Sequence, residues 1–389
     1  MARGTFRNLM LFGASLLYCG VAQPALADGT YKIGFAGSIS GFLATCDDPV
    51  LKGMQLAADE LNKKGGIAGK YKVEISVVDS KSDPAQAQVA GSQLIDGGAQ
   101  FMIGPCAGDI ALATAQLAHD AGIPLISSVN ADSFFVNKVG DGAFLIHPGA
   151  VAEGKALADY AVKARNLKTA YVVTSKDLVF TQQTSDGFAK EFEGAGGKVL
   201  QTDYIKLWQP SQAAIVSKIK AFSPRPDVIM SSQMIPDMPG FIRELRAAGL
   251  DTPVLLNDGN DSNLLFSSGA DLGDVTVASV ALATPGSSFA AFNQLYKDKN
   301  GKAPESSFVG AGGDILALIN RAVETAGSTD PKAVASALAG IEDFQAVTGK
   351  YTYKDKSGVP TRDFLMIVPA KDNKSFAIRN TVKPDGSVN

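Results

Sequence analysis

The chain has 389 residues, of which 46% are hydrophobic and 19% are charged. This length suggests two folded domains, and the composition excludes an intrinsically disordered protein. The formal net charge of −3 excludes the strongly basic surface of a nucleic-acid-binding protein. Only two histidines, His119 and His147, are present. We therefore expect no histidine-based catalysis, no metal site and no cofactor.

The N-terminal segment has the pattern of a secretory signal peptide. Two arginines precede an uncharged apolar run over residues 9–22, and residues 25–27 form an A-x-A cleavage pattern. The alternative is a membrane anchor, but the apolar run is short for a spanning helix, and no later stretch reaches about 18 apolar residues. We predict that residues 1–27 are a signal peptide cut after Ala27 and that the mature protein is periplasmic.

The three cysteines divide between the signal and the mature chain. Cys19 is expected to leave with the signal peptide, because Tyr18 before it is too large for a lipoprotein signal. Cys46 and Cys106 remain, and export permits a disulfide between them. Two cysteines are too few for a disulfide scaffold or a zinc site. At this point one bridge and two buried thiols are both open.

Apolar runs and helical periodicities alternate along the mature chain. Asp83 and Pro84 have the pattern of an N-cap followed by proline at the first helical position. The predicted strands are residues 31–36, 73–77, 101–103, 123–126, 170–174, 228–231 and 254–256. The predicted helices are residues 51–61, 84–95, 111–118, 182–193, 212–221 and 241–248.

This alternation indicates the fold class. Repeated strand–helix–strand units of this length form parallel sheets with helices on both faces, and right-handed crossovers give a doubly wound α/β fold. The alternation runs through about 250 residues, more than one such sheet usually holds. We therefore predict two similar α/β lobes.

Polar, glycine-rich segments fall at the carboxyl ends of the predicted strands. Ligands bind beyond this edge in open α/β sheets. The helix that follows Gly104 would offer free N–H groups and a positive dipole end to an anion. Ordinary strand–helix turns would have the same composition. The segments are residues 37–41, 104–109, 127–130, 231–234 and 257–260.

Enzyme motifs are mostly missing from the sequence. Residues 37–41 resemble a nucleophile elbow, but Ile39 occupies the position that requires serine. Lys70 follows a glycine but precedes Tyr71 instead of a hydroxyl residue, so no phosphate-binding loop is present. His147 follows an apolar strand, and we expect it to be structural. We predict that the protein is not an enzyme.

Several segments occur in a fixed order along the mature chain. They cover residues 40–53, 57–62, 65–67, 79–84, 103–105, 121–126, 241–250 with Pro253, and 314–327. In this order they resemble the leucine/isoleucine/valine-binding family of the type I periplasmic binding proteins. The resemblance covers nearly the whole mature chain.

The resemblance implies two lobes joined by three crossovers, which we place near His147, Leu282 and Ala346. Lobe 1 would comprise residues 28–147 and 283–345, and lobe 2 residues 148–282 and 346–389. A small amino acid, branched-chain or otherwise apolar, or a related organic acid would bind between the lobes. The lobes would close over it by a hinge motion. The closed protein, a monomer, would deliver the solute to an ABC permease in the inner membrane.

The resemblance also implies site residues, position by position. Ala107 and Gly108 fall in the loop that holds the solute carboxylate in the family. Asp258 matches the acidic residue that pairs with the α-ammonium of the solute. Further positions are expected to face the solute: Cys46, Val129, Asn130, Ala131, Phe180 and Met234. Cys46 and Cys106 would lie on two loops of one lobe beside the cleft, which favours a disulfide.

Departures from the family pattern bear on the solute. Gly108 replaces the usual serine, and Ala131 replaces a small hydroxyl residue. Phe180 and Met234 occupy tyrosine-type positions. The pocket has thus lost hydroxyls and gained apolar surface, which favours an apolar amino acid or an aromatic or aliphatic carboxylate or amide. A ligand-sensing receptor domain on the same fold and an exported hydrolase are the rival functions.

Overall fold

The computed structural model describes Met1, residues 29–269 and residues 271–389. The predicted signal peptide beyond Met1, its cleavage site after Ala27 and Cys19 lie outside these residues. Within the described part of the chain, no helix combines the length and apolarity needed to cross a membrane. The chain forms two α/β lobes, each built around one sheet.

Lobe 1 contains a five-stranded parallel sheet in the order β2-β1-β3-β4-β5. Its strands are β1 (Gly29–Phe35), β2 (Tyr71–Val77), β3 (Phe101–Gly104), β4 (Leu125–Ser127) and β5 (Ala143–Leu145). Helices of this lobe are α1 (Ala44–Lys63), α2 (Pro84–Asp96), α3 (Gly108–Asp120) and α4 (Phe135–Val139). The predicted N-terminus of α2 is confirmed, since the Asp83 carboxylate accepts a hydrogen bond from Gln86 N at 2.8 Å.

Lobe 2 contains a seven-stranded sheet in the order β14-β13-β10-β9-β8-β6-β7. Its strands are β6 (Thr169–Ser175), β7 (Lys198–Ile205), β8 (Val228–Ser232), β9 (Val254–Leu256), β10 (Val275–Ser279), β13 (Phe364–Pro369) and β14 (Phe376–Val382). Its helices are α5 (Ala150–Asp159), α6 (Val179–Gly194), α7 (Ala213–Ala221) and α8 (Asp237–Ala247). Strand β13 pairs antiparallel with both β10 and β14, whereas the other strand pairs of this sheet are parallel.

Apolar side chains cover both faces of the sheets, as parallel strands require. In β6, Tyr171 and Val173 pack into one cluster, whereas Ala170 and Val172 pack into the cluster on the opposite face. Successive strand residues point to opposite faces, so one apolar run supplies both cores.

Glycines allow two helix pairs to approach closely. A Cβ atom at Gly53 of α1 would lie 1.9 Å from the carbonyl oxygen of Val309, at the start of α10 (Phe308–Ala326). In lobe 2, a Cβ atom at Gly154 of α5 would lie 2.1 Å from the carbonyl oxygen of Thr184 in α6. Any side chain at either glycine would force its helix pair apart. The second contact brings the cleft ends of α5 and α6 together.

The chain crosses between the lobes three times. The first crossing joins β5 to α5, and the second joins β10 to α9 (Ser288–Asn300), where Phe292 packs against Leu56 of lobe 1. After α10, α11 (Pro331–Ala339) and the short antiparallel strands β11 (Phe344–Gln345) and β12 (Lys350–Tyr351) also belong to lobe 1.

The third crossing lies later than the sequence predicted. Ala346, Tyr351 and Tyr353 are all buried in the core of lobe 1, and Gly358 O accepts a hydrogen bond from Leu145 N of β5 at 2.9 Å. The chain therefore crosses between Gly358 and β13, and not near Ala346. The two tyrosine rings hold this segment in lobe 1.

Candidate functional site

A pocket lies between the lobes, next to the crossings. The pocket is narrow, with a cavity volume of about 20 Å³. Both lobes and all three crossings contribute to it. The lining residues are Val129, Ile146, His147, Asp258, Asp261, Ser279, Val280, Ala281, Ser307, Phe308, Ala311, Thr348 and Arg362.

The structure brings together only some of the residues that the sequence predicted. Val129 and Asp258 line the pocket directly. Gly108 adjoins Asn130, and Met234 adjoins Gly259 next to Asp258, where a Cβ atom at Gly259 would lie 2.5 Å from the Met234 sulfur. None of the other predicted residues lines this pocket: Cys46, Ala107, Gly108, Asn130, Ala131, Phe180 and Met234.

A histidine that we expected to be structural lies beside the Asp258 carboxylate. His147 Nε2 is 3.1 Å from Asp258 Oδ2, but it has no hydrogen-bond partner among the described residues. His147 Nδ1 accepts a hydrogen bond from Gly149 N at 3.0 Å. No described residue hydrogen-bonds the second oxygen, Oδ1, and the side chain is 15% exposed. Asp258 therefore presents one free acceptor to the pocket.

Two other carboxyls surround Asp258. Glu153 Oε1 accepts a hydrogen bond from Asp258 N at 2.6 Å, and burial together with the charge of Asp258 raises the pKa of Glu153 well above its usual value. Burial likewise raises the pKa of Asp261 to about 7, and its carboxyl accepts hydrogen bonds from Ser279 of lobe 2 and Ser307 of lobe 1. Both neighbours are thus biased towards the neutral form.

The geometry around His147 does not suit a metal ion. Ligand atoms of His147, Glu153 and Asp258 lie within 4.8 Å of one another. A metal-bound histidine donates a hydrogen bond from its other nitrogen, whereas His147 Nδ1 accepts one from Gly149. In the second such group among the described residues, Cys46 and Cys106 are joined to each other.

The lobe 1 side of the cleft contains the N-terminus of α3. Ala107 occupies the N-cap without a side-chain cap, and Gly108 begins the helix. The nearby Asn130 side chain is 1% exposed, and its Oδ1 accepts a hydrogen bond from Asp132 N at 2.8 Å. Its Nδ2 has no partner among the described residues and lies 3.4 Å from the position of a Cβ atom at Gly108. Asp132 Oδ2 lies closer, 2.9 Å from the same position, so the positive helix end faces both a free amide donor and a buried carboxylate.

A buried carboxyl ties together the loops that carry these groups. Asp47 accepts hydrogen bonds from Ser38 N at 2.8 Å, from Ser128 Oγ at 2.7 Å and from Cys106 N. Burial raises the pKa of Asp47 to about 7. Nothing in the local sequence distinguished Asp47, since its partners follow three different strands.

A disulfide cross-links the part of lobe 1 in which Asp47 joins the loops. Cys46 and Cys106 are bonded, their Cα atoms are 6.5 Å apart, and they are separated by 60 residues in sequence. Cys46 lies in the first turn of α1, so the disulfide joins that helix covalently to the loop before α3.

A sequence profile of the periplasmic binding protein family matches residues 30–374. The leucine-, isoleucine-, valine-, threonine- and alanine-binding protein of Pseudomonas aeruginosa is 25% identical over 388 residues, which cover 98% of this chain and all of that protein.

Solved structures share the fold. A branched-chain amino acid transporter substrate-binding protein from Streptococcus pneumoniae, in complex with isoleucine, has a TM-score of 0.79 at 25% identity and covers 91% of this chain and 100% of that one. A solute-binding protein of an ABC transporter from R. palustris, in complex with benzoate, has a TM-score of 0.77 at 21% identity and covers 92% and 97%. With its two-lobed fold and a family match over nearly all of its described residues, the chain belongs to the periplasmic binding protein family.

Proposed function

We propose that this protein is the extracytoplasmic solute-binding component of an ABC importer and that it captures a small apolar amino acid or a related organic acid. The observation that carries this proposal is Asp258, which presents one free carboxylate oxygen to a pocket shared by both lobes. An ammonium group would complete its hydrogen bonding. The Asp258 side chain is 15% exposed, so a solute that excludes water from the pocket would leave this acceptor unmatched unless it donates a hydrogen bond to it.

The lobe 1 side of the cleft carries groups of both kinds. The free Nδ2 of Asn130 and the N-terminus of α3 would attract a carboxylate, whereas the Asp132 carboxylate, with Oδ2 2.9 Å from the position of a Cβ atom at Gly108, opposes one. Val129 and Phe308 supply apolar surface along the pocket. The names of the Pseudomonas relative and of the isoleucine-bound Streptococcus protein support a branched-chain amino acid.

We infer binding without chemistry. The histidine of the pocket accepts a hydrogen bond from a backbone N–H at Nδ1 and has only Asp258 near Nε2, so no nucleophile is paired with it among the described residues. The mature protein would be a periplasmic monomer released by cleavage after Ala27, and its closed form would dock on the permease. Acids without an amine, such as the benzoate bound by the R. palustris protein of the same fold, are the second solute class.

A thermal-shift panel on refolded, ligand-free mature protein tests the proposal. The panel contains the proteinogenic amino acids, branched-chain keto acids, aromatic carboxylates, small amides and short polyols. A ligand at 100 times its dissociation constant adds about 2.7 kcal/mol, which moves the midpoint by a few degrees. A shift with leucine, isoleucine or valine supports the amino-acid assignment. A shift only with acids that lack an amine overturns it but keeps the transport function.

A further inference from the structure

The disulfide between Cys46 and Cys106 lies against the buried carboxyl of Asp47. One oxygen of this carboxyl and the sulfur atoms of both cysteines lie within 4.8 Å of one another. The two cysteines are partly exposed, whereas the Asp47 side chain is fully buried. No other carboxyl and no histidine of the described residues belongs to this group. A titratable oxygen therefore lies within reach of both sulfurs of a bond that solvent can reach.

A carboxyl is an unfavourable group for joining loops in a buried place. Asp47 accepts hydrogen bonds from two backbone N–H groups and from Ser128 Oγ, and no described cation forms an ion pair with it. A buried charge without a cation destabilises the folded protein. In lobe 2, the amides of Asn257 and Asn260 join the corresponding loops without any charge. The carboxyl of lobe 1 therefore points to a property that an amide lacks, the exchange of a proton.

The protonation of Asp47 changes near neutral pH. Burial raises its pKa to about 7, although the hydrogen bonds that it accepts offset part of this effect. The acid is therefore protonated at mildly acidic pH and ionised above neutrality. A protonated carboxyl can give its proton to a thiolate, whereas an ionised carboxyl repels a thiolate that forms beside it.

We propose that the Cys46–Cys106 disulfide is redox-active: a dithiol reductant opens it by thiol–disulfide exchange, and Asp47 donates a proton to the first sulfur released. A thiolate of the dithiol attacks one sulfur and forms a mixed disulfide, the bond between the cysteines breaks, and its electron pair stays on the other sulfur. That thiolate takes the proton of Asp47, which the solvent then restores.

The second thiol of the reductant completes the reaction. It loses its proton to water and attacks the mixed disulfide, and the second cysteine leaves as a thiolate that takes a proton from water. The protein has then gained two thiols, and the dithiol has been oxidised to a disulfide.

Opening the disulfide affects the lobe 1 side of the cleft. The bond joins the first turn of α1 to the loop before α3, so its reduction leaves these two segments linked by hydrogen bonds alone. Looser loops bind a solute more weakly, because binding must then also order them. This consequence rests on the proposed function, whereas the exchange chemistry does not.

The kinetics of reduction by dithiothreitol test the proton donor. Rates are measured on the folded mature protein and divided by the thiolate fraction of the reagent, which removes the titration of the reagent itself. The corrected rate constant of wild type should fall about tenfold as the pH rises through 7, because ionised Asp47 has no proton to give. Asp47→Asn should be independent of pH and slower than wild type in acid. Asp48→Asn, at the next and more exposed position, should follow wild type.

Two results would contradict the proposal. A flat corrected profile for wild type would exclude proton donation, whether or not Asp47→Asn folds. An Asp47→Asn variant that is as fast as wild type in acid would show that Asp47 acts only through its charge.

Calorimetry with L-leucine tests the consequence for binding. Reduced wild type, with its thiols counted by alkylation, should bind L-leucine about tenfold more weakly than oxidised wild type. The double variant Cys46→Ala, Cys106→Ala is the control: it should bind like reduced wild type and should not respond to the reductant. Equal affinities of the two redox forms would overturn the effect on binding. If oxidised wild type does not bind L-leucine, the amino-acid assignment fails, and the kinetics still decide the exchange chemistry.

Discussion

In lobe 1, the loops after β1, β3 and β4 converge on one buried carboxyl, Asp47, next to a disulfide. In lobe 2, side-chain amides join the corresponding loops. Asn257 Nδ2 donates to Ser232 Oγ at 3.1 Å, and Asn260 Nδ2 donates to Asn257 Oδ1 at 2.7 Å and to Gln233 O at 3.0 Å. Amides do not titrate and carboxyls do, so these two sets of loop contacts should respond differently to pH and to reductant.

The buried carboxyl of Asp261 lies at the junction between the lobes, unlike that of Asp47. Burial raises the pKa of both Asp47 and Asp261 to about 7. Asp47 joins loops within lobe 1, whereas Asp261 of lobe 2 bonds Ser307 at the start of α10 in lobe 1. One therefore affects the integrity of a lobe, and the other affects the junction between the lobes.

The largest effect that we expect is a pH-dependent one at Asp261. Its pKa is raised from 3.8 to about 7, so its contribution to stability is complete below pH 4 and is lost as the pH rises towards 7. Asp261→Asn resembles the protonated acid and lacks this loss. Between pH 4 and pH 7, wild type should lose up to about 4 kcal/mol of unfolding free energy relative to Asp261→Asn.

Urea unfolding at several pH values measures this difference. Asp186→Asn, which changes an exposed acid on α6, is the matched control and should follow the wild-type curve. If the curves of wild type and Asp261→Asn are parallel throughout, Asp261 is not protonated in the folded protein. The comparison of the two carboxyls would then need another basis.

Asp47→Ala tests the carboxyl of lobe 1. The substitution would leave the Ser38 N–H, the Cys106 N–H and the Ser128 hydroxyl without a buried acceptor. We expect a loss of about 3 kcal/mol in the unfolding free energy measured in urea. Asp48→Ala, at the next and more exposed position, should stay within about 0.5 kcal/mol of wild type. Equal small effects at both positions would show that Asp47 does not hold the loops together.

The disulfide should have a somewhat smaller effect. Replacing both Cys46 and Cys106 with alanine removes a cross-link that closes a loop of 60 residues, which should cost roughly 2–3 kcal/mol. Wild type treated with reductant should unfold at nearly the same urea concentration as the double variant. Thiol titration of wild type denatured without reductant should detect no thiol in the mature chain. Two titratable thiols would mean that the bridge does not form.

The smallest effect concerns the free oxygen of Asp258 on the lobe 2 side. Asp258→Ala should weaken binding of an amino acid at least tenfold, about 1.4 kcal/mol, as measured by calorimetry. Asp251→Ala alters an exposed acid of the same lobe and serves as the control. An unchanged dissociation constant in Asp258→Ala would point to a solute without an amine.

Much of the architecture followed from local patterns. The predicted strands at residues 101–103 and 170–174 correspond to β3 and β6, and the cap at Asp83 begins α2 as expected. Such patterns succeed because a short apolar run or a helical period is a property of each element by itself. The end of lobe 1 was misplaced, because the burial of Tyr351 and Tyr353 depends on the rest of the core.

The sequence by itself determined the two α/β lobes, the family resemblance and the identity of Asp258 as a candidate acid. Only the tertiary structure decided which groups surround the Asp258 carboxyl. His147 and Asp258 meet across 111 positions of the chain, and Glu153 reaches Asp258 N across 105. These contacts depend on how helices and lobes pack, and periodicity within one element carries no information about its distant partners.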